Sequence, residues 1–363
     1  VRIAFITDSD RVGESGVGDY TLLLSEALRA QGVEAGVFTL AEFQGSDSQR
    51  AISRMTGFAP DWVSFQFVPY AYAFRGLVNA STLPWRRLRG KRGTHMMFHE
   101  IWIGAHQGAR WRDRIIGALQ RRGIRSVVKV LRPEAVHCSN QLYGSMLSAA
   151  GISNRILPLF GNIRLAWGGA DPYAEQVARL DPGSKRKDWT VAVLFGSLYP
   201  NTGARGLLQW MSETARRHGR RLLVASVGRC TDAASHFAAW KQPLDESREV
   251  SFHVQGPMPV EQISNWLQHA DCGISTTPYN IIEKSGSAAA LVEHGLPVLV
   301  CDEGAPIRCL ANVRPDLAPR FWLGKEPRLA ELRDLPAKRR PYDGLAEVAK
   351  SFLQQLSEPQ ADG

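Results

Sequence analysis

The chain lacks any paired-cysteine pattern. Its five cysteines, Cys138, Cys230, Cys272, Cys301 and Cys309, contain no C-x-x-C and have no histidines at zinc-finger spacing. That excludes a disulfide-stapled scaffold and a structural zinc module, and leaves reduced, mostly buried thiols. Long apolar runs are missing too. No stretch approaches the ~20 apolar residues of a membrane span, and the sequence does not start with a charged region and an apolar signal core, so a cytoplasmic protein is expected. Acid is in deficit, 35 Asp and Glu against 44 Lys and Arg, and the net charge of +9 favours an anionic partner: a nucleotide diphosphate, an acidic lipid surface or nucleic acid. Internal repeats and low-complexity segments are absent as well.

What is present is ordinary globular composition, 44% hydrophobic and 22% charged, over 363 residues, enough for two cores. Arg2 to Thr7 reads as a short buried strand followed by a glycine-rich turn. Tyr20, Leu23, Leu24, Ala27 and Leu28 then recur at helical spacing up to Gly32, and Ala35 to Leu40 reads as the next strand. Further strand signals at Trp62–Val68, His95–His99 and Ala135–Cys138 point to a parallel sheet covered on both faces. Residues 164–188, rich in Gly, Pro and charge, are the expected linker after a first domain of residues 1–163. A second alternating run, residues 189–340, carries strand signals at Thr190–Phe195, Arg221–Val227, Val250–Val254, Cys272–Ser275 and Pro297–Cys301. Residues 341–363 end the chain with an amphipathic helix bearing Leu345, Val348, Ala349, Phe352 and Leu356 on one face. The fold class is α/β, two Rossmann-like halves.

Ligands of open parallel sheets bind where strands end and helices begin. Four such loops stand out. Gly16-Val17-Gly18, opening the first helix, allows close backbone approach to an anion or sugar, with a plain tight turn as the alternative. Phe195 to Arg205 opens the second half. Gly196, Ser197 and Asn201 lie in its turn and Arg205 at the helix start, where it either pairs with phosphate or is solvated. Lys284-Ser285-Gly286-Ser287 combines a cation, hydroxyls and a helix N-terminus suited to a diphosphate; a simple capped helix is the other reading. His99, at a strand's carboxyl end, is able to bond a sugar hydroxyl beside the apolar platform of Trp102, with Gln66 and Tyr70 near the preceding strand's end. Asp8-Ser9-Asp10 matches a metal-binding D-x-D, but a diphosphate served by amides and cations needs no metal, and no cofactor is expected. Two basic stretches, Arg86–Arg92 and Arg110–Arg132, interleave with apolar residues. They suit either an anionic membrane or a solvated helix face; no nucleic-acid reader motif accompanies them.

In this order the blocks resemble glycosyltransferase family 4, a large retaining family of the GT-B architecture. Gly16-Val17-Gly18-Asp19-Tyr20 looks like its first loop and Phe98-His99 like its cleft histidine. Leu157 to Asn162 looks like its exit to the linker, Gly256 to Pro278 like the segment before the donor loop, and Gly295-Leu296-Pro297-Val298 like the motif after the donor helix. The resemblance implies GT-B, two Rossmann-like domains facing across a cleft. A nucleotide-sugar would bind on the second domain and a saccharide or lipid-linked acceptor on the first, and the last helix would pack back on the first domain. Transfer would proceed with retention, the leaving diphosphate acting as base. Apart from the resemblance, the basic stretches suit attachment to the cytoplasmic face of an anionic membrane. The family's arginine and lysine positions fall at Ser197 and Gly203 here, so Arg205 and Lys284 would replace them. A one-residue deletion makes Glu283 the sugar-contacting glutamate. Glu293 would replace the ribose-holding one, while Asp19 would face the acceptor. A pseudoenzyme acting as an assembly partner and a UDP-sugar epimerase are the alternatives.

Overall fold

Short, nearly unbroken apolar runs fold as strands buried on both faces, the pattern of a parallel sheet between helix layers. The computed structural model describes residues 1–44, 46–196, 198, 204–230, 233–241, 250–302, 304, 313–323 and 338–358. The first part runs β1 (Arg2–Thr7), α1 (Gly16–Ala30), β2 (Glu34–Thr39), α2 (Ser48–Phe58), β3 (Trp62–Phe67), α3 (Pro69–Tyr72), β4 (Gly93–Phe98), α4 (Trp111–Leu131), β5 (Ala135–Cys138), α5 (Gln141–Ala149) and β6 (Arg155–Ile156). Its six strands are parallel in the order β2-β1-β3-β4-β5-β6. α1 starts where Ser15 Oγ accepts from the Val17 and Gly18 amides, and it buries Tyr20, Leu24 and Leu28 in one core with Ile3 and Phe5.

The second part runs α6 (Pro172–Leu180), β7 (Trp189–Phe195), α7 (Ala204–Arg217), β8 (Arg221–Val227), α8 (Ala233–Lys241), β9 (Val250–Gly256), α9 (Val260–His269), β10 (Cys272–Ser275), α10 (Gly286–Glu293), β11 (Val298–Val300) and β12 (Phe321–Leu323). These strands too are parallel, ordered β12-β11-β10-β7-β8-β9. The chain winds outward from β7 to β9, then returns to the other side of β7 for β10. That reversal is a topological switch point. The last helix, α11 (Gly344–Ser357), places Leu345, Val348, Ala349, Phe352 and Leu356 in the core that holds Phe5, with the Phe352 and Phe5 rings 6.0 Å apart.

Two compact units result: Val1–Phe160 with the chain from Leu345, and Gly161–Gly304 with Val313–Gly344. Residues 164–188 are therefore not a free linker. Asp171 caps α6 by accepting from the Tyr173 amide at 2.9 Å, Pro172 occupies the first turn, and Tyr173 and Val177 are wholly buried in the second unit's core. The Gly, Pro and charge of the segment hide a nine-residue helix whose apolar stripe is only two residues deep. Arg186, in the same segment, pairs with Asp171 at 3.3 Å and Asp271 at 3.1 Å. Among the described residues no helix is long and apolar enough to cross a membrane.

Candidate functional site

The β7/β10 switch point of the second unit gathers two of the loops singled out in the sequence. β7 ends at Gly196, whose φ of +86° suits glycine, and a Cβ there would collide with Ser287 Oγ in the first turn of α10. Any larger residue would push the two loops apart. The polypeptide reaches α10 through a tight turn over Tyr279–Lys284, after which Ser285 Oγ caps the helix by accepting from the Ala288 amide at 3.2 Å. Thr277, just past β10, donates to Ser285 Oγ at 3.3 Å and steadies the cap. The Gly286 and Ser287 amides make no hydrogen bond to a described residue. Two open donors, the positive end of the helix and Lys284 one residue before the cap come together in sequence at this end of α10, an arrangement able to receive an anion. Arg205 is exposed in the first turn of α7, on the other side of the β7 loop. Ser197 and Asn201 lie outside the described residues.

Both glutamates are held by partners. Glu283 is nearly sealed, its side chain 6% exposed. Its Oε1 accepts from the Arg314 amide at 3.3 Å and lies 3.8 Å from that guanidinium, which also pairs with Asp316 at 2.7 Å. Glu293 ends α10, and its Oε1 accepts from the Gly161 amide at 2.7 Å. Its backbone carbonyl accepts from the Tyr342 amide at 3.0 Å. A buried carboxylate must be satisfied, and here the fold satisfies it where the second unit's two ends of chain pass. Glu293 thus lies at the end of α10 away from Gly286 and Ser287, bonded to Gly161.

In the first unit His99 follows β4 and is nearly buried, with Nε2 2.8 Å from Gln66 Oε1. Burial pushes its pKa down to about 3, so the ring is neutral at physiological pH. Tyr20 packs edge-on to it, ring centres 4.8 Å apart, and stacks on Phe160 at 4.6 Å. The Tyr20 hydroxyl is buried with no hydrogen-bond partner among the described residues. By contrast, the glycine-rich turn before α1 is closed upon itself. The Gly18 amide is taken by Ser15, a Cβ on Gly18 would lie 2.7 Å from the Ser9 carbonyl oxygen, and Asp19 Oδ1 accepts from the Gly13 amide at 2.7 Å. Asp8 accepts from Ser15 Oγ at 2.5 Å and from the Ser9 amide at 2.9 Å. Gly18 and Asp19 shape the turn; Gly16 alone has open space around it. Tyr70 is exposed after β3, and Trp102 lines a cavity of about 240 Å³ that Arg114 and Arg121 also border. α4 itself buries Gly117, Gln120, Ile124, Val127 and Leu131 on one face, yet Trp111, Ile115 and Leu119 on the other are 67%, 52% and 52% exposed, with Arg122, Arg125 and Lys129 continuing that face.

No protein-family model and no curated protein matches the chain. Among solved structures it is similar to the Anabaena protein HepE in complex with UDP and glucose, at 14% identity, covering 98% of this chain and 91% of that one, with a TM-score of 0.51. It is also similar to sucrose-phosphate synthase from Thermosynechococcus elongatus (14% identity, 98% and 90% covered, TM-score 0.53). The catalytic domain of starch synthase IV from Arabidopsis thaliana, bound to ADP and acarbose, is a third (10% identity, 98% and 98% covered, TM-score 0.52). Two parallel six-stranded Rossmann-like sheets, aligned over nearly the whole chain with these proteins, decide the architecture. The fold is GT-B. Within this GT-B chain the structure brings Gly196 to Ser287 and Gln66 to His99, and bonds Glu293 to Gly161, Gly18 to Ser15 and Asp19 to Gly13. Sequence reasoning missed Arg314, 31 residues from its carboxylate partner, and the contact of Tyr20 with His99, because Tyr20 sits on the apolar stripe of α1 and reads as core.

Proposed function

We propose that the chain is a glycosyltransferase moving a sugar from a nucleotide-sugar held on the second unit to a saccharide or lipid-linked saccharide acceptor on the first, with retention of configuration as in glycosyltransferase family 4. The observation that carries this reading is the meeting of Gly196 and Ser287 at the β7/β10 switch, which builds an anion cradle where a Rossmann-like sheet binds nucleotides. A diphosphate there is met by the Gly286 and Ser287 amides, the α10 dipole and the charge of Lys284. These groups stabilise the negative charge that grows as the glycosidic bond to the leaving diphosphate breaks. The departing oxygen takes the acceptor hydroxyl's proton on the same face, which yields retention. No metal enters this scheme, so a chelator leaves turnover unchanged. Arg314 holds Glu283 beside the cradle and offsets its charge, keeping a carboxylate near the sugar without repelling the phosphates. The shared fold with HepE, solved with UDP and glucose, supports the reading.

The exposed apolar and basic face of α4 fits the anionic surface of a membrane, on the cytoplasmic side where envelope or exopolysaccharide acceptors are assembled. Incubation with UDP-, GDP- and TDP-sugars, followed by thermal shift and slow donor hydrolysis, tests the assignment. A flat response to every nucleotide sinks it. One observation favours a second reading, a binding-only protein of the same fold: the carboxylate that would hold a ribose, Glu293, is bonded to Gly161. That reading requires nucleotide binding with no hydrolysis or transfer.

A further inference from the structure

His99 stands at one end of a line of buried polar side chains that sugar transfer by itself does not call for. Side chains alternate along a strand, and the registers set Ser64 opposite His95 and Met97 opposite His137, so Ser64 and Gln66 of β3, His95 of β4 and His137 of β5 share one face of the sheet. All are nearly or fully buried. His99 Nε2 lies 2.8 Å from Gln66 Oε1, Gln66 Nε2 donates to Ser64 Oγ at 2.8 Å, Ser64 Oγ lies 2.8 Å from His95 Nδ1, and His95 Nε2 lies 2.9 Å from His137 Nδ1. At the far end the line meets α11, where Gln355 Nε2 donates to Ser351 Oγ at 2.8 Å and the buried Gln355 Oε1 has no hydrogen-bond partner among the described residues.

Burial holds all three rings neutral, so each has one N–H and one lone pair to place. Gln66 sets the direction at the His99 end: its Nε2 donates to Ser64 Oγ, which turns its Oε1 to His99, so the hydrogen of that link comes from His99 Nε2. We propose that Gln66 and Ser64 are positioning residues, a short hydrogen-bond relay that fixes His99 as its Nε2–H tautomer and leaves Nδ1 as a standing acceptor, so that this ring selects a ligand offering a hydroxyl hydrogen. The choice of ligand rests on the sugar-transfer reading. The tautomer does not.

Two-bond ¹⁵N–¹H correlation spectra of the full chain, with labelled histidine and no ligand, read the tautomer directly. Between about pH 5 and 8 the expected spectrum shows His99 protonated at Nε2 and bare at Nδ1. Ser64→Ala cuts the relay and is expected to turn that signal into a tautomer mixture, which Ser64→Thr, keeping the hydroxyl, restores. A His99 protonated at Nδ1, or a pure Nε2–H signal that survives Ser64→Ala, overturns the proposal. Should Ser64→Ala not fold, Gln66→Glu serves instead: a carboxylate against Nε2 favours the charged ring, and the His99 titration midpoint is expected to rise by roughly one unit or more. A midpoint that stays put also overturns it. Because no donor or acceptor is present, a negative result for sugar transfer leaves this measurement intact.

Discussion

Gly196 and Glu293 separate binding from structure at the level of single residues. Alanine at Gly196 must adopt a left-handed φ and place a methyl group on Ser287 Oγ, which opens the cradle while leaving the strands intact. Nucleotide affinity, measured by calorimetry, is expected to fall about tenfold or more, the scale of one lost charge-assisted contact, and the double change with Ser287→Gly recovers part of it. Glu293→Ala has the opposite signature. It strands the Gly161 amide in the interior and is expected to cost about 1–3 kcal/mol in urea unfolding with nucleotide affinity little changed. A loss of affinity without a loss of stability would return Glu293 to the ribose.

The three strands β3, β4 and β5 and the helix α11 that covers them set the pH response. His99 and His137 are pushed down by burial to about 3 and about 4 from an ordinary 6.5, and His95 is also lowered. Their folded values lie below the unfolded ones, so between roughly pH 6.5 and 4 the unfolded chain takes up protons that the folded chain refuses. Stability from these rings is complete above about pH 6.5 and falls as the pH drops, levelling out only below the folded values, at about 1.4 kcal/mol per ring per pH unit. Urea midpoints taken at successive pH values should decline through this window, and His137→Asn should flatten the decline. An unchanged slope in that variant would mean that carboxylates elsewhere dominate. Phe352 of α11 packs against both His95 and His137, ring centres 5.1 and 6.5 Å away, so the helix seals the polar line from water.

For the whole molecule, the excess of basic residues and the α4 face belong together. On the proposed membrane reading, a net charge of +9 would attract an acidic surface from a distance, while Trp111, Ile115 and Leu119 would supply apolar area for shallow insertion. Sedimentation with phosphatidylglycerol-containing vesicles is expected to carry the protein down, neutral phosphatidylcholine vesicles are not, and binding should weaken as salt rises. Trp111→Glu combined with Ile115→Glu should abolish vesicle binding and spare the thermal shift with nucleotide. If that pair binds vesicles as the parent does, another surface makes the contact.

Sequence by itself determined the local and periodic features. Apolar runs marked the strands of both sheets except the short β6 and β12. The i, i+4 stripe marked α1, and a cap followed by small residues marked the start of α10, because each depends on neighbours within a turn or two. It also read residues 164–188 as a linker, since Tyr173 and Val177 are too few to show a period against so much Gly, Pro and charge. Only the tertiary structure decided which strands are neighbours. The β7/β10 adjacency puts Gly196 against Ser287 across 91 positions of chain (287 − 196), and Glu293 finds Gly161 across 132. Likewise, Gln66 and His99 were each legible as polar residues near strand ends, but their bond depends on parallel register. Sliding β3 by one residue would turn Ser64 and Gln66 to the other face of the sheet.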